Sequence, residues 1–244
     1  MGRKLGILGG MGPLASAEFL KTVYELCRAE REQAMPACIL YSDPTFPDRT
    51  EALLAGTQEA LLRRLIGALE TLVKAGASEI VIICFTIHHL LPRVPLVLRE
   101  RVLSLVDVAL EEVARNASPH LMLCTTGARE THLFESHPKW RAAGRYVVFP
   151  GATDQDRVHE TIYRLKAHGD VATLMPFLAN LRKQYDVSAL VAGCTELHLA
   201  AKFVRQQGVG RDGWILDPLM TVAERCIAYG ESGSAKVEQH EDAA

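Results

Sequence analysis

Residues 79–84 read Glu79-Ile80-Val81-Ile82-Ile83-Cys84, a nearly unbroken run of β-branched apolar residues that ends on a cysteine. Such a run is typical of a strand that is covered on both faces in a parallel sheet. Residues 188–194 repeat the pattern, because a second apolar strand stops at Gly193-Cys194. A histidine follows four residues after each cysteine, at His88 and His198. The repetition predicts two similar halves, each with a buried strand that leads to a cysteine.

The same alternation of strand and helix extends along the chain. Further strands are predicted at 4–8, 37–41, 120–124, 147–149 and 214–216, and helices at 17–31, 57–74, 98–115, 157–166, 171–184 and 218–229. Strands that alternate with helices of this length form parallel sheets, and ligands bind at the carboxyl ends of their strands. We therefore expect an α/β fold of two pseudo-symmetric three-layer domains with mainly parallel central sheets.

The repeat also suggests where the domains divide. We expect residues 1–117 to form the first α/β domain and residues 118–213 the second. The closing segment 214–229 is expected to return to the first domain. Residues 230–244 are small, polar and charged, which is the composition of a flexible tail.

Composition narrows the classes of function. The chain has 244 residues, of which 48% are hydrophobic and 23% charged, as in globular proteins. Its net charge of −2 gives no electrostatic reason to bind nucleic acid or an anionic membrane. No apolar run approaches the eighteen or so residues of a membrane helix, and the first residues lack a signal peptide's apolar stretch. These features predict a cytoplasmic protein whose partner is a small molecule.

Two of the six cysteines differ from the others in position. Cys84 and Cys194 each end a predicted strand, where free backbone N–H groups and a helix N-terminus would lower the pKa of a thiol below about 8.5. The other four are interpreted as core residues: Cys27, Cys38, Cys124 and Cys226. Because two close thiolates repel, a facing pair would hold one thiolate and one thiol. Such a pair can remove a proton from one face of a carbon and supply one from the other, with no cofactor.

The same residues allow a different chemistry. Cys84, His88, Cys194 and His198 could in principle form a tetrahedral Cys2His2 zinc site. A residue four positions after a strand end has already turned onto the following helix, however. We therefore expect His88 to orient its neighbours, His198 to be a satisfied side chain, and no metal to be bound.

Four short motifs follow predicted strands: Gly9-Gly10-Met11-Gly12-Pro13, Pro47-Asp48-Arg49-Thr50, Cys84-x-Thr86-x-His88 and Gly193-Cys194-Thr195-Glu196. In this order they resemble the aspartate/glutamate racemase superfamily, and the aspartate racemases in particular. The resemblance implies two pseudo-symmetric α/β domains and racemisation of an acidic amino acid without a cofactor. It also implies that Cys84 and Cys194 are the acid and base, and that the protein is a homodimer.

The resemblance extends to two cationic side chains. Arg49 can grip a carboxylate through its bidentate fork, although its sequence context alone also fits a solvated surface arginine. Aspartate racemases have a carboxylate-binding arginine at this position. Lys166 matches a family lysine that contacts the substrate, whereas its own context reads as a helix-surface lysine.

Further substrate contacts are expected at the turns after the strands. Backbone N–H groups of Met11 and Gly12 could form an anion-binding nest, with Thr126 at the corresponding position of the second half. Glu196 could receive a substrate ammonium group. Donors next to the two cysteines could hold a carboxylate: Thr86 and Thr195.

One position departs from the family pattern. Phe85 follows the first cysteine where the family usually has an asparagine whose amide contacts the substrate. A phenyl ring cannot replace those hydrogen bonds. The substitution leaves open a different binding pose, a bulkier amino acid, weakened activity, or a catalytically silent binding protein. A related decarboxylase or isomerase of small diacids, in which only one cysteine would act, is a separate alternative.

Overall fold

The computed structural model describes residues 3–208 and 214–227. They form two parallel four-stranded sheets with helices packed on them. The first sheet has the order β2-β1-β3-β4, and its strands are β1 (Lys4–Gly9), β2 (Ala37–Ser42), β3 (Glu79–Ile82) and β4 (Val102–Leu103). The second has the order β6-β5-β7-β8, with β5 (His120–Leu123), β6 (Val147–Val148), β7 (Ala189–Ala192) and β8 (Ile215–Leu216). The predicted α/β fold with two similar halves is confirmed.

The central strands carry side chains into different cores on their two faces, as the period of a strand requires. In β3, Ile80 and Ile82 pack into an outer core of the first half, whereas Val81 faces a core shared by both halves. In β7, Leu190 packs into an outer core of the second half and Val191 into the shared core. The shared core therefore contains residues of both sheets and joins the two halves beside strands β3 and β7.

The helices lie between and beside these strands. They are α1 (Pro13–Leu26), α2 (Arg49–Leu54), α3 (Gln58–Lys74), α4 (Leu96–Arg99), α5 (Leu105–Asn116), α6 (Thr126–Glu130), α7 (Trp140–Ala143), α8 (Ala152–His168), α9 (Met175–Gln184), α10 (Leu197–Gln206) and α11 (Pro218–Arg225). Three short 3-10 turns add to them, at Glu32–Ala34, Thr86–Arg93 and Gly144–Tyr146.

The single helix predicted over 98–115 is wrong. The segment contains the short helix α4, strand β4 and then helix α5, which begins after Ser104. The Ser104 hydroxyl accepts a hydrogen bond from the Asp107 N–H at 3.1 Å, which caps α5. Strand β4 pairs with β3 through only two residues, too few for a detectable strand pattern.

The closing segment contacts both halves. Strand β8 pairs with β7 in the second sheet, whereas helix α11 packs against α1 and α5 beside the first sheet. The predicted domain boundaries stay a prediction, and the predicted tail at 230–244 lies outside the described residues. Within residues 3–208 and 214–227, no helix has the length and apolar character needed to cross a bilayer.

Candidate active site

Cys84 and Cys194 occupy equivalent places in the two halves. Each lies two residues beyond the end of a central strand, β3 or β7, and both side chains are buried, with 6% and 5% of their surface exposed. Burial raises the pKa of Cys194, and Cys84 lies close enough to add to that rise. The carboxyl ends of the two sheets therefore bring the sulfurs into one electrostatic environment.

The Cys194 thiol has a carboxylate beside it. Its Sγ donates a hydrogen bond to Glu196 Oε2 across 2.8 Å. Burial raises the pKa of Cys194 well above its ordinary value, and the Glu196 charge adds to this, while the Lys166 ammonium opposes it. The expectation of a lowered thiol pKa is therefore wrong for Cys194, because burial and the carboxylate outweigh the opposing charge of the Lys166 ammonium.

Arg49 begins helix α2, and its side chain lies near Cys84 and Glu196. We call the group formed by Cys84, Cys194, Glu196, Arg49 and Lys166 the cluster. Arg49 is 8% exposed, and its guanidinium donates from Nη1 to the Pro47 carbonyl at 3.0 Å and from Nη2 to the Met11 carbonyl at 2.9 Å. Burial would lower the pKa of Arg49, but the negative charges of Cys84, Asp48 and Glu196 outweigh it and raise the pKa. Its buried Nε has no hydrogen-bond partner among the described residues, so one donor is available to a ligand.

Lys166 approaches the cluster from the second half, on helix α8. Its Nζ lies 4.3 Å from the centroid of the Tyr163 ring, in a cation–π contact. Burial would lower the pKa of Lys166, but the charges of Glu196, Cys194 and Cys84 outweigh it and raise the pKa. A half-buried ammonium group therefore stands near both cysteines, with its charge retained.

The turn after β1 lies against Glu196. A Cβ placed on Gly12 would come within 2.4 Å of Glu196 Oε1, so glycine permits this close approach. Glu196 is 1% exposed, and its Oε1 has no partner within the described residues. The Met11 side chain belongs to the outer core of the first half, and its carbonyl holds Arg49. The first motif, residues 9–13, therefore borders the cluster at Gly12 and at the Met11 carbonyl.

The predicted threonines connect the two halves. The hydroxyls of Thr86 and Thr125 lie 2.9 Å apart, and the Thr195 hydroxyl donates to the Ile83 carbonyl at 3.3 Å. The Thr126 N–H donates to Nδ1 of His159 at 3.2 Å, so this predicted substrate donor already has a partner. The expected role of these residues as direct substrate ligands stays a prediction.

Phe85 packs into the shared core. Its ring is 1% exposed, belongs to the shared core, and lies 5.8 Å from the ring of Phe134 and 6.1 Å from that of His88. We expected this residue at the substrate site because of its place after Cys84. The observed packing instead makes the ring part of the core and does not support direct contact between the ring and a substrate.

The histidines after the cysteines have no free nitrogen for zinc. His88 Nδ1 lies 2.8 Å from the Cys84 carbonyl, and its Nε2 accepts from the Leu105 N–H at 3.3 Å. His198 Nδ1 lies 2.6 Å from Asp217 Oδ2, and its Nε2 lies 2.9 Å from the Thr22 hydroxyl. Complete burial lowers the pKa of His88 to about 4, so it is neutral. No group of three potential metal ligands occurs within the described part of the chain.

Sequence reasoning missed three polar residues beside the cluster: Asp48, His159 and Tyr163. Tyr163 Oη donates to Asp48 Oδ2 at 2.7 Å, which links helix α8 to the start of helix α2. The rings of His159 and Tyr163 lie 4.4 Å apart. The spacing on α8 offered a usable signal. Tyr163 lies three residues before Lys166, and His159 lies four residues before Tyr163, so the three side chains share one helix face.

Comparisons with known proteins agree with this fold. The Asp/Glu/Hydantoin racemase family matches residues 8–224. A curated relative, the broad specificity amino-acid racemase RacX of Bacillus subtilis, is 21% identical over 211 residues, covering 83% of this chain and 89% of RacX. The structure of Picrophilus torridus aspartate racemase superposes with a TM-score of 0.79 at 23% identity, over 94% of this chain and 95% of that one. Glutamate racemase of Francisella tularensis, solved with D-glutamate, gives a TM-score of 0.57 at 15% identity, over 96% and 82%.

The two-sheet α/β fold and the match over most of the sequence define an isomerase of the racemase class. The chain belongs to the Asp/Glu/Hydantoin racemase family. The resemblance drawn from the four motifs is thereby confirmed at the level of the superfamily, and aspartate racemases are among the structural neighbours.

Proposed function

We propose that the protein racemises an acidic amino acid, with aspartate as the expected substrate, and that Cys84 and Cys194 transfer the α-proton without a cofactor. One observation carries the proposal. Arg49, which is buried, and Lys166, which is half-buried, come from different halves and place two positive charges near both cysteines. An acidic amino acid supplies carboxylates that match these cations.

The two cysteines have different charged neighbours. Cys194 donates to Glu196 and has a raised pKa, so it begins as the thiol. Cys84 lies near the Arg49 guanidinium, a cation rather than a carboxylate. Cys84 is therefore the base and Cys194 the acid when the first of the two enantiomers binds.

The proposed reaction exchanges protons at a single carbon. The Cys84 thiolate takes the α-proton, and the electron pair of the broken C–H bond moves into the α-carboxylate, where a cation stabilises the added charge. The Cys194 S–H then delivers its proton to the opposite face of the carbon. Cys84 is left as the thiol and Cys194 as the thiolate, which is the starting state for the reverse reaction.

Unpartnered atoms in the cluster suit the rest of the substrate. The buried Nε of Arg49 can donate to a carboxylate, and Oε1 of Glu196 can accept from an ammonium group. Leaving either atom unpaired in a buried site is costly, which favours a ligand that pairs both.

The exact substrate depends on more than this charge pattern. RacX is described as having broad specificity, and Phe85 replaces the asparagine that is usual after the first cysteine. A related decarboxylase or isomerase of diacids would need only one cysteine for proton transfer, which the presence of both disfavours. The proposal includes a homodimeric assembly, which the family resemblance implies, and a cytoplasmic location.

The deciding experiment uses the purified protein in heavy water with L-aspartate. Loss of optical rotation with incorporation of α-deuterium is the expected result. A panel of other amino acids under the same conditions defines the substrate range. Absence of exchange with every member of the panel would leave the catalytically silent binding protein as the better description.

A further inference from the structure

Tyr163 joins the two halves directly beside the candidate site. From helix α8 its Oη donates to Asp48 Oδ2 at 2.7 Å. Asp48 directly precedes Arg49 in the chain and caps helix α2, which Arg49 begins. A hydroxyl of the second half therefore holds the residue next to the guanidinium side chain.

The same side chain also contacts the second cation. The Lys166 ammonium lies 4.3 Å from the centroid of the Tyr163 ring, one helical turn further along α8. The hydroxyl end of Tyr163 thus fixes the start of α2, which carries Arg49, while its ring face fixes Lys166.

The hydrogen bond to Asp48 persists over the ordinary pH range. Burial raises the pKa of Tyr163 to about 12, so the phenol keeps its proton. Burial would raise the pKa of Asp48, but hydrogen bonds from the Glu51 N–H and from Tyr163 outweigh it and lower the pKa. A protonated donor therefore faces an ionised acceptor, which makes a strong hydrogen bond.

We propose that Tyr163 is a positioning residue that sets the spacing between Arg49 and Lys166, and through it the length of the diacid that the site accepts. The inference rests on the proposed function, in which these two cations bind the carboxylates of one substrate. Two carboxylates at the ends of a short chain can reach both cations only at a matching separation. Loosening the link between the halves would therefore weaken discrimination between diacids that differ by one methylene.

Tyr163→Phe tests this directly because it removes the hydroxyl and keeps the ring under Lys166. We expect KM for aspartate to rise about tenfold with kcat changed less than about threefold, since uniform binding is lost. The preference for aspartate over glutamate in kcat/KM should fall about tenfold. A change confined to global stability would not separate KM from kcat in this way.

Asp48→Asn provides a second variant from the other side of the link. Asparagine is as good an N-cap as aspartate, so helix α2 keeps its cap on the Glu51 N–H. The side-chain amide puts an NH2 group in the place of Oδ2, which exchanges a strong hydrogen bond to a carboxylate for a weaker neutral one. The variant should therefore shift KM and substrate preference in the same direction as Tyr163→Phe but by less. Because both changes act on one interaction, the double variant should be no worse than Tyr163→Phe alone.

Tyr185→Phe is the matched control. Tyr185 Oη donates to Asp154 Oδ2 at 2.8 Å and accepts from the Gly151 N–H at 2.8 Å, at the opposite end of α8. This change also removes a tyrosine–aspartate hydrogen bond, but one distant from Lys166. KM and substrate preference should stay at the wild-type values.

The outcomes separate this inference from the proposed function. If wild-type protein racemises aspartate, and Tyr163→Phe and Asp48→Asn match Tyr185→Phe in KM and substrate preference, the inference is wrong and the function stands. If wild-type protein racemises no amino acid, titration calorimetry with succinate and with glutarate tests whether Tyr163 sets the diacid length. The inference then requires Tyr163→Phe to weaken succinate binding more than glutarate binding. Equal weakening, or no binding of either diacid to wild-type protein, contradicts it.

Discussion

Cys194 Sγ lies 2.8 Å from Glu196 Oε2, so a buried carboxylate accepts a hydrogen bond from one of the two thiols at the strand ends. The other thiol, Cys84, has the Arg49 guanidinium as its charged neighbour. The two halves have the same strand order, yet they give their cysteines partners of opposite charge. In the proposed mechanism, this difference distinguishes the acid from the base in a two-sided proton transfer.

The Glu196 charge should be visible in the pH dependence of the reaction. Burial and this carboxylate raise the pKa of Cys194, so Glu196→Gln, which removes only the charge, should lower that pKa. The proton needed on Cys194 is then lost at lower pH. We expect the alkaline limb of the kcat/KM profile to move down by about one pH unit. Glu160→Gln, on the exposed face of α8, is the control, and an unmoved limb in Glu196→Gln would count against the assignment.

Arg49→Lys tests recognition of the substrate carboxylate. Lysine keeps the positive charge but lacks the planar fork and the buried Nε donor. Loss of a hydrogen bond to a charged group costs about 1.5–3 kcal/mol, so KM for aspartate should rise about 10-fold to 100-fold.

Arg64→Lys is the control for this change. Arg64, on helix α3, forms an ion pair with Asp43, which lies in the loop before α2. Its replacement should leave KM unchanged. Equal effects of the two substitutions on KM would show that Arg49 affects substrate binding only by holding the loop and not by contacting the substrate.

His88 should make the fold sensitive to acid. Its pKa is lowered from 6.5 to about 4 by burial, so the unfolded chain binds the proton more readily than the native chain. Its contribution to stability is complete above pH 6.5 and is lost as the pH falls from 6.5 towards 4. At pH 5.0 the linkage costs about 2 kcal/mol of unfolding free energy relative to pH 7.5.

Urea unfolding of His88→Gln at the two pH values measures this cost. Glutamine does not titrate, so the difference between pH 7.5 and 5.0 should shrink by that amount, even where the variant is less stable at both. His132→Gln removes an exposed histidine and should keep the wild-type difference. The same pH difference in His88→Gln as in wild type would contradict a neutral, buried His88.

The sequence was sufficient to predict the sheets because their central strands are buried on both faces. The apolar run of β3 and the repeat of its pattern at β7 placed Cys84 and Cys194 at equivalent strand ends, as observed. Strand β4 escaped prediction because its two residues lie in a segment with helical composition. Two residues are too few to show the alternation of side chains that identifies a strand in a sequence.

The charge environment of the site could not be predicted from spacing. The raised pKa of Cys194 depends on the direction of the Glu196 side chain, and the link from Tyr163 to Asp48 joins residues 115 positions apart. Phe85 follows Cys84 in the chain, but its ring turns into the shared core. Such directions depend on packing between the halves, which no local pattern encodes.

The central claim is that Cys84 and Cys194 act on opposite faces of one carbon. The most direct measurement is α-deuterium incorporation into L- and D-aspartate in heavy water by Cys84→Ala and Cys194→Ala. Each variant should lose racemisation by at least about a thousandfold. Each should still exchange the α-proton of one enantiomer only, and that enantiomer should differ between the two variants.

Cys124→Ala is the control, because Cys124 directly follows β5 but is buried in the shared core with its pKa raised to about 12. This variant should racemise aspartate at the wild-type rate. The account is contradicted if either Cys84→Ala or Cys194→Ala interconverts the enantiomers as fast as wild type, or if both variants exchange the same enantiomer.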